Sequence, residues 1–299
     1  MALEIFEARE ATYEVQTETG VEFASHDGVS LRGDLYLPKP DGVYPGVVMF
    51  HGGAWRAGSP ASMRAWGRCL AARGYVVFAA TYRVLKDGKA MFPQAIQDAR
   101  AGVQYLRGRG TEVRVDPDRI AVTGSSAGGQ VAALLALAAD DRVFAGAYPS
   151  DTYAQLSART RAAVLIYGFY DMVEAWKHEQ GDEAARPARD YLGGDPSDLP
   201  AVYEQASALR WVESASKETA FFVAWGTADP HSRPASRSEP LMAALRAAGC
   251  DVEAAPLEGA EHFWFSLRPG QPTDFFEPDS WNSRLAGRLV EFLDRNLGR

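Results

Sequence analysis

The chain has 299 residues, 46% of them hydrophobic, which is sufficient for the large core of a single globular domain. Its formal net charge of −8 disfavours nucleic acid and anionic membrane surfaces as partners, because both require a basic face. The longest unbroken apolar run, residues 131–139, is far too short to span a bilayer. We therefore predict no nucleic-acid partner and no membrane partner.

The amino terminus and the cysteines favour a cytoplasmic protein without a metal or cofactor. The first ten residues contain neither a basic start nor the apolar segment of a secretory signal. Cys69 and Cys250 lie far apart in the sequence, and we expect two unpaired thiols in packed helices or at their ends. The sequence has no H-E-x-x-H motif, no paired C-x-x-C and no P-loop, so no cofactor is predicted.

The first part of the chain alternates predicted strands and helices. An Asp-Gly pair at positions 27 and 28 indicates a hairpin between the first two strands. Ser59 and Pro60 are typical of a helix N-cap followed by proline at the first helical position. The predicted elements are strands at 21–25, 29–37, 46–50 and 75–80, and helices at 60–73 and 93–109.

The second part continues the alternation and contains one long interruption. We predict strands at 119–123, 162–167, 220–225 and 252–257, and helices at 131–139, 236–248 and 282–297. Such an alternation indicates an α/β fold with a mostly parallel central sheet flanked by helices on both faces. Residues 171–215 form a long segment between two core strands, and this segment is charged and contains Pro and Gly. A long insertion at such a place is typical of a functional lid. We predict one domain, residues 1–299, with a cap insertion at 171–215.

A G-x-S-x-G sequence at residues 124–128 lies between a predicted strand and a predicted helix. In a nucleophile elbow of this kind, the serine sits on a sharp turn and its hydroxyl projects above the sheet. Ser126 is therefore the candidate nucleophile, and the amide of Ala127 can donate to an oxyanion. This short motif is weak evidence for a serine hydrolase by itself. The assignment also requires a candidate base and a candidate acid later in the chain.

Asp229 and His262 are the candidates for that acid and base. Each follows a predicted strand, and the chain order serine, acid, histidine is the one found with nucleophile elbows. Both should lie at the carboxyl ends of the strands, where Ser126 also projects. Asp171 is the alternative acid, and its other interpretation is a capping or loop hydrogen bond. His231 is a poor alternative base because it lies only two residues from Asp229.

The segment from His51 to Trp55, sequence H-G-G-A-W, is predicted to complete an oxyanion hole. Its glycines allow the backbone to approach a substrate closely, and the exposed amides of Gly53 and Ala54 should join that of Ala127. We expect His51 to brace this loop rather than carry a proton. The candidate oxyanion-hole residues are Gly52, Gly53, Ala54 and Ala127, and the candidate substrate-binding residues are Trp55, Ser125, Phe263 and Trp264. The alternative for these aromatic residues is packing into the core.

With these motifs the chain resembles the α/β-hydrolase serine esterases, in the branch with an H-G-G-x-W oxyanion loop. That branch includes carboxylesterases, feruloyl and acetylxylan esterase-like proteins and kynurenine formamidases, with the hormone-sensitive-lipase group as a relative. The resemblance runs from about residue 19 to the C-terminus. Its further marks are Tyr82-Arg83, Phe92-Pro93, Asp98 (as a buried polar brace), Asp116–Ile120 and Tyr191–Gly194.

Three positions depart from the pattern of these relatives. Ser125 stands where the lipase relatives usually have an acidic residue, and Ala54-Trp55 replaces their third glycine. Ser207-Ala208 replaces a Ser-Pro pair near the end of the insertion. The first two departures move the chain away from the lipase group, and the third leaves the shape of the insertion's end open.

The resemblance implies a serine carboxylic-ester hydrolase that cleaves small esters through an acyl-enzyme, and we further expect short acyl groups. Short acyl chains are favoured because the insertion lacks the apolar face of a lipid-binding lid and bulky aromatic residues flank the site. The expected partner is then a small-molecule ester substrate. The sequence does not decide between a monomer and a homo-oligomer. Two alternatives are an arylformamidase that uses the same residues and a hydrolase-fold protein that only binds a ligand.

Overall fold

The computed structural model describes residues 12–179, 186–214, 216–231, 237–266 and 276–298. In these ranges eight strands form one sheet, in the order β1-β2-β4-β3-β5-β6-β7-β8. They are β1 (Val15–His26), β2 (Val29–Pro38), β3 (Tyr44–Phe50), β4 (Val76–Ala80), β5 (Val115–Ser125), β6 (Ala162–Ile166), β7 (Ala220–Gly226) and β8 (Val252–Leu257). β2 pairs antiparallel with β1 and β4, and every other pair is parallel. The predicted mostly parallel central sheet is confirmed.

Helices cover both faces of this sheet. They are α1 (Arg64–Ala71), α2 (Gln94–Gly108), α3 (Gly110–Val113), α4 (Ala127–Ala138), α5 (Met172–His178), α6 (Pro187–Leu192), α7 (Pro200–Ala206), α8 (Ser238–Ala247) and α9 (Trp281–Leu297). α2 and α4 pack together on one face, and α1 and α9 cover the other. Every residue of β3, β4, β6 and β7 is buried, as expected for parallel strands between two helical layers.

Element boundaries differ from the prediction mainly near the amino-terminal side. The first turn after Ser59 is a 3-10 turn at Pro60–Met63, and the Ser59 side chain makes no capping hydrogen bond. α1 therefore begins at Arg64, four residues later than predicted. β1 begins at Val15 instead of residue 21, because the edge strand continues its antiparallel pairing along β2.

The insertion between β6 and β7 is helical where it is described. It contains α5, α6, α7 and a 3-10 turn at Ala208–Ser214. Two contacts join α6 to the loop after β3: Arg56 forms an ion pair with Asp190, and the rings of Trp55 and Tyr191 stack with centroids 4.9 Å apart. α6 therefore covers the loop in which the oxyanion donors are predicted.

Among the described helices, none combines the length and the apolar character required to cross a bilayer.

Candidate active site

Ser126 occupies the turn between β5 and α4 in a strained conformation, with φ 55° and ψ −120°. A Cβ atom at Gly124 would lie 2.1 Å from the carbonyl oxygen of Gly128, and one at Gly128 would lie 2.3 Å from that of Phe50. Both positions therefore require glycine, which explains the spacing of the motif in steric terms. Backbone strain of this kind persists where the surrounding structure fixes it, often at functional sites.

His262 lies between Ser126 and Asp229. Its Nε2 atom is 3.1 Å from Ser126 Oγ, and its Nδ1 atom is 2.5 Å from Asp229 Oδ2. Asp229 is only 4% exposed, and its second oxygen accepts the amide N–H of His231 at 2.8 Å. A serine, an imidazole and an oriented carboxylate in this order can transfer the hydroxyl proton to the imidazole.

The surroundings of His262 favour its neutral form. Burial lowers the pKa of His262 below its usual value of 6.5, against the opposing effect of Asp229. The positive charge of Arg237 lowers the pKa further. The imidazole is therefore unprotonated at neutral pH and available as a base.

Asp171, the alternative acid, and His231, the alternative base, make other contacts. The Asp171 carboxylate caps α5, accepting the amide N–H groups of Val173 at 2.9 Å and Glu174 at 3.1 Å. This is the capping interpretation of Asp171. His231 contributes its backbone amide to Asp229, and its ring centroid lies 5.4 Å from that of His262. The geometry thus brings Asp229, and not Asp171, to the base.

The loop after β3 lies directly against the elbow. A Cβ atom at Gly52 would lie 2.9 Å from the carbonyl oxygen of Ser125 and 3.3 Å from Ser126 Cβ, so the elbow leaves no room for a side chain at position 52. Gly53 has φ 123°, and a Cβ atom there would lie 2.1 Å from the carbonyl oxygen of Ala57. Ala54 also has a positive φ, 53°. In the described part of the chain no hydrogen bond uses the amide N–H of Gly53, Ala54 or Ala127 as its donor. These three amides can therefore donate to an oxyanion.

His51 supports this loop from inside the protein. Its ring is fully buried and stacks on Tyr82 with centroids 4.5 Å apart, and the Tyr82 hydroxyl donates to the His51 carbonyl oxygen at 2.8 Å. Burial lowers the pKa of His51 to about 4, so the ring is neutral. The amide of Leu85 donates to the Trp55 carbonyl oxygen at 2.7 Å. The segment after β4 thus holds both ends of the loop.

A buried ionic network anchors that segment. Arg83, next to Tyr82, donates through Nε to Asp98 Oδ2 at 2.7 Å. The Asp98 carboxylate also lies 2.6 Å from His26 Nδ1, and Asp151 lies 2.8 Å from His26 Nε2. Asp98 is fully buried, in agreement with the predicted polar brace.

Trp55 and Ser125, two of the four candidate substrate-binding residues, are buried. Trp55 is 1% exposed, and its Nε1–H group donates to Gln130 Oε1 at 3.1 Å. Ser125 is fully buried, and its hydroxyl lies 3.0 Å from that of Ser266. The polar group of each residue is hydrogen-bonded inside the protein, and a substrate contact by either residue stays a prediction.

The other two candidates follow His262 directly. Phe263 is 41% exposed, and its ring centroid lies 4.4 Å from that of His262. Trp264 is buried and packs edge-on against Tyr167 at 5.1 Å. Phe263 is therefore the predicted aromatic residue that faces outward beside the base.

Several residues of the site had no local signal that singled them out. The Tyr167 ring lies 4.4 Å from that of His262, and its hydroxyl accepts the amide of Phe265 at 3.1 Å. Arg237 is 3% exposed, with its guanidinium 4.0 Å from the centroid of the Phe169 ring. Gln130 differs from these residues, because a glutamine within the apolar helix α4 indicates a buried polar contact. Its Nε2–H group donates to the carbonyl oxygen of Ala206 at 2.9 Å.

Among the residues that the structure describes, no cluster of three His, Cys, Asp or Glu side chains could hold a metal ion. The thiols of Cys69 and Cys250 are both buried and unbridged, as predicted.

Comparisons with known proteins agree with this fold. The model of the BD-FAE family matches residues 33–245. Esterase LipQ of Mycobacterium tuberculosis is 31% identical over 224 residues, which are 73% of this chain and 50% of LipQ. The probable isoprenylcysteine alpha-carbonyl methylesterase ICMEL1 of Arabidopsis thaliana is 30% identical over 49% of this chain and 30% of its own length. The chain thus spans half or less of these relatives.

Solved structures extend the likeness to nearly the whole chain. A thermophilic esterase of Thermogutta terrifontis, Est2 with propionate bound, gives a TM-score of 0.70 at 25% identity and covers 96% of this chain and 95% of its own. A truncated carbohydrate esterase from gut microbiota gives 0.74 at 22% identity, covering 97% and 99%. The predicted α/β-hydrolase fold is confirmed, and the chain belongs to the BD-FAE family.

Proposed function

We propose that the protein is a serine carboxylic-ester hydrolase with Ser126 as nucleophile, His262 as base and Asp229 as orienting acid. The observation that carries this proposal is the continuous contact from Ser126 Oγ to His262 Nε2 and from His262 Nδ1 to Asp229 Oδ2. The names of the esterase relatives support the same class of reaction.

The first half of the reaction forms an acyl-enzyme. Ser126 Oγ attacks the ester carbonyl carbon while its proton passes to His262 Nε2. The carbonyl oxygen becomes an oxyanion and accepts hydrogen bonds from the amides of Gly53, Ala54 and Ala127. In comparable sites the loss of one such donor costs about 2.7–4 kcal/mol of transition-state stabilisation. Collapse of the tetrahedral intermediate breaks the bond to the alcohol oxygen, which takes the proton from His262.

The second half releases the acid. A water molecule gives a proton to His262 Nε2 and attacks the acyl carbon, forming a second oxyanion in the same hole. Its collapse breaks the bond to Ser126 Oγ, which recovers its proton from His262. Asp229 keeps its charge throughout and holds the imidazole in the tautomer that presents Nε2 to the serine.

For the substrate we propose small esters with short acyl groups. Phe263 is exposed beside His262, with the two ring centroids 4.4 Å apart. This aromatic ring narrows the space around the scissile bond, which supports short acyl groups over long alkyl chains. The cytoplasmic location predicted from the sequence is part of the same proposal.

A panel of 4-nitrophenyl esters from acetate to palmitate tests the substrate class. We expect kcat/KM to be highest between acetate and about hexanoate, and Ser126→Ala to abolish turnover of all of them. A kcat/KM for palmitate equal to or above that for butyrate would contradict the short-acyl proposal. Efficient turnover of N-formylkynurenine with poor activity on every ester would identify an arylformamidase instead.

A further inference from the structure

Gln130 is a buried polar residue one turn beyond the nucleophile. It is the fourth residue of α4, the helix that begins directly after Ser126, and its side chain is fully buried. The other residues of α4 are all Ala, Gly, Val or Leu. A buried amide group costs free energy unless both its donor and its acceptor are hydrogen-bonded. The partners of Gln130 therefore decide what this amide contributes.

The two ends of the Gln130 amide hold two different segments. Its Oε1 atom accepts the indole N–H of Trp55 at 3.1 Å, and its Nε2–H group donates to the carbonyl oxygen of Ala206 at 2.9 Å. Because an indole N–H can only donate and a carbonyl oxygen can only accept, the amide has a single orientation. Trp55 ends the candidate oxyanion loop, residues 51–55, and Ala206 is the last residue of α7 in the insertion. Gln130 thus joins both segments to the helix that follows Ser126.

The loop that Gln130 holds is strained. Ala54 and Trp55 have φ angles of 53° and 56°, in the left-handed region that residues other than glycine rarely adopt. Such conformations persist only where the surrounding structure fixes them. The amide N–H of Leu85 donates to the Trp55 carbonyl oxygen, and the Tyr191 ring stacks on the indole with centroids 4.9 Å apart. Stacking leaves an aromatic ring free to slide in its plane, and the directional hydrogen bond to Gln130 removes that freedom.

We infer that Gln130 is a positioning residue, which holds the candidate oxyanion loop at a fixed distance from the nucleophile. The candidate donors come from two segments: Gly53 and Ala54 lie in the loop, and Ala127 is the first residue of α4. Such donors act when they are held at hydrogen-bonding distance from the developing oxyanion. A shift of the loop relative to α4 therefore weakens transition-state stabilisation more than substrate binding. This inference rests on the proposed esterase function and concerns the same site.

Gln104 provides the matched control, because it is a buried glutamine in another helix. It lies in α2, is 3% exposed, and its Nε2 atom donates to the carbonyl oxygens of Ala154 at 2.9 Å and Leu156 at 2.6 Å. Gln104→Met and Gln130→Met each replace a buried amide by an unbranched apolar side chain of similar length. Both should lower the free energy of unfolding, since each leaves buried partners without a hydrogen bond. Gln130→Met alone should change catalysis.

The kinetics of 4-nitrophenyl butyrate hydrolysis separate a positioning role from a purely structural one. We expect Gln130→Met to lower kcat by about 10- to 30-fold with little change in KM, which is less than the cost of about 10²–10³-fold for removing an oxyanion donor outright. Gln104→Met should keep the wild-type kcat. A loss of kcat at constant KM identifies an interaction made in the transition state.

Inhibition by trifluoromethyl propyl ketone reports on the oxyanion hole itself. Ser126 Oγ adds to the ketone carbon, the hydroxyl proton passes to His262, and an electron pair of the C=O bond moves to the oxygen, which becomes an oxyanion. This adduct resembles the tetrahedral intermediate, so its affinity follows transition-state stabilisation. We expect Ki to rise in Gln130→Met by the same factor by which kcat falls, and to keep its wild-type value in Gln104→Met.

Trp55→Phe assigns the effect to the bond between the indole and Gln130. Phenylalanine retains an aromatic ring against Tyr191 but has no N–H group, and we expect kcat to fall by about fivefold, the factor that corresponds to one net hydrogen bond. The combined variant Trp55→Phe/Gln130→Met should lose less kcat than the product of the two single losses, because both changes break the same bond.

The outcomes separate this inference from the proposed function. A kcat of folded Gln130→Met equal to that of Gln104→Met, or a change confined to KM, would overturn the inference and leave an esterase. Fully multiplicative losses in the combined variant would also overturn it. Should Gln130→Met fail to fold, Trp55→Phe decides the question, and wild-type kcat and Ki in that variant would overturn the inference. A wild type that hydrolyses neither 4-nitrophenyl butyrate nor 4-nitrophenyl acetate would overturn the proposed function itself.

Discussion

The hydroxyl of Ser125 lies 3.0 Å from the hydroxyl of Ser266, and this contact joins the strand that carries Ser126 to the loop that carries His262. Tyr167, at the end of the next strand, holds the same loop by accepting the amide N–H of Phe265. Ser125 and Tyr167 are both fully buried. We infer that these contacts position the imidazole of His262 relative to Ser126.

The Ser125→Ala variant tests this positioning. Loss of one hydrogen bond costs about 1 kcal/mol, which is about fivefold in rate if it acts on the transition state. We expect kcat for 4-nitrophenyl butyrate to fall by about this factor with little change in KM. The control is Ser30→Ala, whose hydroxyl donates to Glu22 on the exposed hairpin. A similar fall in the control, or a change confined to KM, would argue against a positioning role.

The two acids should respond differently to neutralisation. Asp229→Asn removes the charge that fixes the tautomer of His262, a change that costs about 10⁴-fold in kcat in a comparable triad. Asp171→Asn weakens the cap of α5 and should lower the free energy of unfolding by at most about 1 kcal/mol with kcat largely retained. Steady-state kinetics and thermal denaturation of both variants measure this. A larger kcat loss in folded Asp171→Asn would exclude Asp229 as the orienting acid.

The pH dependence of kcat/KM should follow His262. Burial and the charge of Arg237 lower its pKa, so kcat/KM should rise with pH through an apparent pKa below 6.5 and then level off. Arg237→Met removes one of these causes and should move the rise to higher pH. The same rise must persist in Glu179→Gln, because burial raises the pKa of Glu179 to about 7 and its titration overlaps. A wild-type rise centred above pH 7 would contradict the account.

The buried His26 should make stability depend on pH. Burial disfavours its charge, but hydrogen bonds to Asp98 and Asp151 outweigh this effect and raise the pKa of His26 above 6.5. Its contribution to the free energy of unfolding is then complete below pH 6.5 and is lost as pH rises through the higher folded pKa. We expect His26→Gln to lower the free energy of unfolding at pH 6 by about 1–3 kcal/mol.

Urea denaturation of wild type and His26→Gln from pH 6 to 10 measures this effect. The difference between the two proteins should shrink as pH rises, because only the wild type loses a proton from the buried ring. A difference that is constant over this range would mean that His26 is neutral in the folded protein at pH 6.

Much of the fold was predictable because its signals are local. Apolar runs such as 46–50 and 220–225 correspond to fully buried parallel strands, and Gly124 of the elbow is fixed by a contact with Gly128, four residues away. The start of β5 was missed because Val115 is followed by Asp116 and Pro117, which are rare in strands. Tertiary pairing with Tyr44 overrides that local preference.

The supporting contacts of the site were less predictable because they join distant parts of the chain. Ser125 meets Ser266 across 141 residues, and Arg237 reaches the ring of Phe169 from the far end of another loop. An arginine directly before a helix is usually exposed to solvent, and the residues near Arg237 in the sequence do not reveal its contact with the Phe169 ring. Trp55 illustrates the same limit, since its partner Tyr191 comes from the insertion.

Covalent labelling of Ser126 tests the central claim most directly. Wild-type protein and Ser126→Ala are incubated with a fluorophosphonate, and intact mass and peptide mapping are recorded. The account predicts one phosphonyl adduct, on Ser126, in the wild type and none in folded Ser126→Ala. An adduct on Ser126→Ala, or a wild type that stays unlabelled, would contradict it.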